Sequence, residues 1–118
     1  MSTINPTIRR TSSIRSEMKS IQTPYTRVVY DNNTGNITPK ENDIKAIKNS
    51  LKNNSQTRIT SKLSDLQLLA LHRAIFLEQN LFLIFHHRLG IYELKDDNQT
   101  LLIFYYENGN YQIINSLC

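Results

Sequence analysis

SDLQLLALHRAIFLEQNLFLIF, running from Ser64 to Phe85, is the longest apolar stretch of this 118-residue chain, and its reading decides the fold. Ser64-Asp65-Leu66-Gln67 has the form of a capping box, in which a serine hydroxyl and a glutamine amide satisfy two helix N–H groups that lack intrahelical partners. A helix therefore starts at Ser64, and Asn80 is its expected end. At about 100° per residue, Leu66, Leu69, Ala70, Arg73 and Leu77 share one side, and Leu68, Leu71 and Ile75 lie nearly opposite. A helix with two apolar faces must be covered twice. One cover is expected to be the chain's own sheet, the other its remaining helix or a second copy.

After Asn80 the period changes from helical to extended. Residues 81–85 (LFLIF) form a continuous apolar run, Gly90 marks a turn, residues 91–94 (IYEL) alternate in part, and residues 95–99 (KDDNQ) are a second turn. TLLIFYY, residues 100–106, is the strongest strand signal and apolar on both faces, which predicts a central position. The Asn108-Gly109 pair favours a type I′ hairpin, with residues 111–115 as the returning strand.

Upstream, Arg27-Val28-Val29-Tyr30 reads as a short edge strand closed by the turn formers of residues 31–36. Thr38-Pro39-Lys40-Glu41 combines an N-cap threonine, proline at the first helical position and a glutamate at the third, so a helix is expected from Pro39 to Lys52. Asn53 to Ser61 reads as polar linker. The expected fold class is α+β: a flexible basic tail (1–26), then one small domain (27–118) of two helices and a C-terminal antiparallel meander of three to four strands packed on the central helix. A winged helix fits poorly, because LFLIFHHRLGIYEL stands where a polar recognition helix is needed.

Charge divides unevenly. Residues 1–62 carry eleven Lys/Arg against four Asp/Glu (+7) and residues 63–118 three against six (−3), which recovers the formal net charge of +4. Such asymmetry points to an anionic polymer or surface. In the tail, Arg9, Arg10, Arg15 and Lys19 stand against the single acid Glu17. The same composition suits phosphate neutralisation and also a transit peptide. Arg9-Arg10-Thr11-Ser12 fits a basophilic kinase site, and Ile14, Met18 and Ile21 share one helical face suited to a partner or membrane surface. On the first helix Ile44, Ile47 and Leu51 make the buried stripe, with Lys45, Lys48 and Lys52 in a row beside it. Arg58 and Lys62 follow, completing a patch that a phosphate backbone can track.

No nucleophile, metal set or phosphate-binding glycine loop is found. His72, His86, His87 and Cys118 match no zinc spacing, and adjacent strand residues such as His86 and His87 face opposite ways. The three glycines are isolated, and Asp96 with Asp97 is explained by its turn. The chain is expected to be non-enzymatic and to need no cofactor. Tyr92, Phe104, Tyr105, Tyr106 and Tyr111 suit core packing better than base stacking, and Tyr106 with Tyr111 is either a strand clamp or an exposed contact. The Asn-x-Ser/Thr matches at Asn32, Asn36, Asn53 and Asn98 read as accidents of asparagine abundance. One cysteine, no secretory signal and no transmembrane run suggest an intracellular protein, cytoplasmic or nuclear. The Asn, Ile and Lys usage is that of AT-rich coding, as in viruses and mobile elements.

Two functional readings follow. One is a basic accessory protein, a homodimer, binding RNA or DNA without reading sequence. The other is a protein-interaction module acting through a sheet edge or helix face.

Overall fold

A computed structural model describes residues 21, 23–78, 80–97 and 99–117. The class is α+β, with two α-helices and a six-stranded antiparallel sheet in the order β1-β3-β4-β5-β6-β2. In chain order the elements are β1 (Arg27–Tyr30), a 3-10 segment (Asp31–Asn36), α1 (Glu41–Asn53), β2 (Gln56–Arg58) and α2 (Asp65–Phe76). The strands β3 (Phe82–His86), β4 (Ile91–Lys95), β5 (Thr100–Glu107) and β6 (Asn110–Ser116) complete the chain.

The meander β3–β6 stands where the apolar runs predict it, and β5 is an interior strand. Its turn into β6 pairs Glu107 with Asn110 across Asn108 (φ 51°) and Gly109 (φ 90°), the left-handed pair that a two-residue hairpin needs. A Cβ on Gly109 would also lie 3.0 Å from the Ile59 carbonyl. The sheet has more strands than expected because the N-terminal half supplies both edges. β1 pairs with β3, and β2 pairs with β6 within a stretch that reads as linker. Gln56-Thr57-Arg58 has no apolar alternation, so nothing local marks it as a strand. The open edge of β6 imposes the conformation.

Both helices lie on one face of the sheet. α2 begins as the capping box requires, with Gln67 N–H on Ser64 Oγ (3.2 Å) and Ser64 N–H on Gln67 Oε1 (2.8 Å). It ends at Leu77, three residues before Asn80, in a left-handed conformation (φ 57°) that leaves this leucine 82 % exposed. α1 begins two residues later than the Thr38-Pro39 signal, because Lys40 stays extended and no side chain caps it. It closes at left-handed Asn54, where the Ser55 N–H returns to the Ser50 carbonyl at 3.2 Å.

The core is one cluster between the helices and the sheet, holding Ile47, Leu68, Leu69, Leu71, Leu83, Leu94, Leu102, Phe104 and Tyr111, among others. The second apolar side of α2 is covered in part: Leu69 and Ala70 are buried, the 3-10 segment and α1 pack on the helix, and Arg73 Nη1 donates to Thr34 Oγ1 at 2.7 Å, while Leu66 and Leu77 at its two ends stay exposed. On the far face of the sheet, residues 23–26 lie against β3: Thr26 N–H donates to the Phe85 carbonyl (3.3 Å), and Thr23 Oγ1 is 2.5 Å from His86 Nδ1. Among the described residues, no helix is long and apolar enough to cross a membrane.

Candidate functional site

The basic residues singled out by the sequence are divided by the fold. Arg9, Arg10, Arg15 and Lys19 lie outside the described residues. Lys45, Lys48 and Lys52 are exposed on α1, within about 60° of arc and about 10 Å of axis. Glu41 falls in the same arc at its N-terminal end. Among the described residues, none of these three lysines, nor Lys62, forms an ion pair with a carboxylate. Arg58 does not join them. Its neighbour Thr57 faces the helices with Tyr111, so the pleat turns Arg58 to the far side, where its Nη1 donates to Asn110 Oδ1 (2.8 Å). Arg27 is spoken for as well, reaching Asp65 Oδ2 at 2.6 Å, a bond that raises its pKa further.

Lys62 stands at the mouth of a cleft of about 230 Å³ between residues 37–40, residues 60–63 and the start of α2. Its φ of 61° turns the chain sharply there. Buried Asp43 forms part of the wall, and its Oδ1 accepts from the Thr60 N–H at 2.9 Å, which ties α1 to the strand-to-helix connection. Tyr106 secures the same connection, accepting from Leu63 N–H (2.8 Å) and donating to the Thr60 carbonyl (3.2 Å). The cleft lining offers hydroxyls at Thr38, Thr60 and Ser61 but no histidine or cysteine to activate them.

Two of the three histidines, His72 and His86, have structural partners. His72 is fully buried on α2, with Nδ1 2.7 Å from the Leu68 carbonyl and Nε2 2.5 Å from Tyr111 Oη. A carbonyl can only accept, so Nδ1 carries the proton and the Tyr111 hydroxyl donates to Nε2. Burial pushes this imidazole down to about 4 and the Tyr111 phenol well above its usual range. Tyr106 and Tyr111, paired across β5 and β6, thus clamp the connection and α2 to the sheet.

A pH dependence follows, and its sign is fixed. Between the ordinary value of 6.5 and about 4, the unfolded chain binds a proton at this position that the folded chain refuses. Stability therefore falls as pH drops through that window and levels below it, by about 3 kcal/mol from this residue. An NMR titration is expected to leave the His72 ring neutral down to pH near 4; a midpoint near 6.5 would contradict the buried geometry.

His86, on the far face of the sheet beside Thr23 and Tyr25, is the second buried histidine, while His87 is exposed in the turn. His86 Nε2 lies 2.8 Å from Glu93 Oε1, and the Thr100 hydroxyl donates to Glu93 Oε2. With Thr23 on Nδ1 this is a hydroxyl, imidazole and carboxylate in series. Its members are bonded to one another, neither His86 nor Glu93 reaches solvent, and the cleft lies elsewhere. The arrangement holds residues 23–26 onto the far face. Glu93 escapes a reading of residue types alone. The signal that finds it is the hairpin around Gly90, which places Glu93 and His86 on one face, diagonal to each other.

That far face also carries aromatic rings. Tyr30 is 56 % exposed and meets Phe82 edge-on at 4.8 Å, and Tyr25 is 55 % exposed and meets His86 edge-on at 6.1 Å. Tyr105 is half-buried on the same face, its hydroxyl donating to Glu107, a bond that raises its pKa. Tyr92, Phe104 and Tyr111 face the helices instead. Burial, then the neighbouring Asp65 carboxylate, pushes Tyr92 up to about 12. Among the described residues, no group of three His, Cys, Asp or Glu side chains is placed to hold a metal ion. In comparisons with known proteins, no family model, no curated protein and no solved structure matches this chain.

Proposed function

We propose that this is a small, non-enzymatic accessory protein that binds nucleic acid through the positive charge of its N-terminal half, in the cytoplasm or nucleus. The observation that carries the reading is the row Lys45, Lys48 and Lys52: three exposed ammonium groups on one side of α1, with no ion pair to a described carboxylate. Lysines left unneutralised by the protein retain their full attraction for phosphates, and binding them releases counterions. Lys62 and the tail residues Arg9, Arg10, Arg15 and Lys19 add charge to the same half. Arg58, on the far face, is a separate contact.

The test is a salt titration of binding to RNA and DNA. Affinity is expected to fall steeply with salt, and Lys45→Glu/Lys48→Glu/Lys52→Glu is expected to make the slope of log K against log salt shallower by about 2–3. Absence of binding at low salt ends the reading.

A second reading, contact with a protein or with a second copy, is favoured by β1. This edge strand, Arg27-Val28-Val29-Tyr30, has no lysine, proline or bulge to block the backbone of its free side. Sedimentation over a concentration series tests self-association, and a monomer throughout removes the homodimer.

A further inference from the structure

Asp43 is only 6 % exposed, yet the protein uses half of its carboxylate. Its Oδ1 accepts from the Thr60 N–H at 2.9 Å, whereas Oδ2 has no hydrogen-bond partner among the described residues and is not sealed from solvent. Asp43 lines the cleft of about 230 Å³ between α1, residues 60–63 and α2, so the free oxygen is offered to whatever enters there. A carboxylate oxygen can only accept, and Oδ1 keeps a second lone pair beside the Thr60 bond. This wall of the cleft therefore takes N–H or O–H donors.

The rest of the lining narrows the choice of ligand. Leu63 and Leu71 give the cleft apolar surface, and the exposed Lys40 and Lys62 bring two cations to it, neither of them paired with a described carboxylate. Asp43 is the only acid in the lining. A simple cation would satisfy Asp43 but meet both lysines, and a simple anion would meet Asp43. The volume lies below the roughly 300–1,000 Å³ of sites that hold drug-sized molecules. What fits is a small, flat, apolar body with N–H donors on one edge and a negative charge at its outer end.

We infer that the cleft binds a guanine nucleotide, with the N1–H and N2–H donors of the base on Asp43 and its phosphate at Lys40 and Lys62. Guanine carries two adjacent N–H donors on its Watson–Crick edge. Adenine and cytosine set a bare ring nitrogen beside the amino group, and uracil flanks its N–H with two carbonyls; a carboxylate repels those acceptors. The inference rests on the nucleic-acid reading above and deepens it to a substrate class, an unpaired guanine of a single strand. A duplex hides that edge in its base pairs.

The experiment is calorimetry at low salt with GMP, AMP, CMP, UMP and guanosine, and with a short uridine strand with and without one central guanosine. GMP is expected to bind most tightly of the four nucleotides, and the strand with guanosine more tightly than the strand without. Asp43→Asn keeps an acceptor for the Thr60 N–H but turns the free oxygen into an NH₂ donor. It is expected to weaken GMP about 10–100-fold and to erase the difference between the two strands, with the unfolding midpoint little changed. Lys40→Gln/Lys62→Gln is expected to weaken GMP severalfold and leave guanosine unaffected. GMP binding no tighter than AMP, or an unaltered preference in Asp43→Asn, overturns the cleft. If both strands then still bind equally and with steep salt dependence, the lysine-row reading stands without it. Failure of every nucleotide and strand to bind overturns both.

Discussion

Phe104→Ala is expected to destabilise the fold by about 3–5 kcal/mol, a large part of the roughly 5–15 kcal/mol that holds a domain together. Phe104 has no exposed surface and is the central ring of a stack: Tyr92 lies 5.2 Å away, Tyr111 4.8 Å and His72 4.6 Å. Removing it opens a void between β4, β6 and α2 at once, and none of the three neighbours can close that void without giving up a hydrogen bond. Tyr111 and His72 hold each other, and Tyr92 Oη donates to Asp65 at 3.3 Å. Urea unfolding measures the loss. A cost below about 1 kcal/mol would mean that the helices do not pack on this face as described.

Glu93→Ala is expected to cost about 3–5 kcal/mol by another route. It creates little void, but it leaves His86 Nε2 and the Thr100 hydroxyl without the acceptor that each now uses, both inside the protein. Glu93→Gln keeps an acceptor oxygen and is expected to cost less. Because His86 also holds Thr23, the alanine variant should speed amide exchange at residues 23–26 before it affects β5. Equal stability of the alanine and glutamine variants would show that hydrogen bonding is not what Glu93 contributes.

The two substitutions separate what was legible in the chain from what was not. Phe104 lies in TLLIFYY, whose double-sided apolar character already marks an interior strand. Glu93 lies in a run that reads as half-exposed, and its burial follows from a hairpin register joined to a segment 63 residues before His86. The candidate site divides in the same way. The spacing of Lys45, Lys48 and Lys52 is enough to put them on one side of a helix, but nothing in the sequence turns Arg58 away from them. That depends on which residue of β2 opposes Tyr111.

By itself, the sequence determined the elements whose causes lie within a few consecutive residues: the capping box at Ser64, the left-handed pair Asn108-Gly109, the meander and the charge imbalance between the halves. Tertiary structure alone decided that Gln56-Thr57-Arg58 is a strand, that the middle of the second side of α2 is covered by the chain's own 3-10 segment and α1, and that His86 and Glu93 are buried together beneath residues 23–26. The physical reason is range. Backbone geometry and side-chain periodicity act over one or two turns of chain, whereas an edge strand or a buried polar pair exists only once segments dozens of residues apart have met.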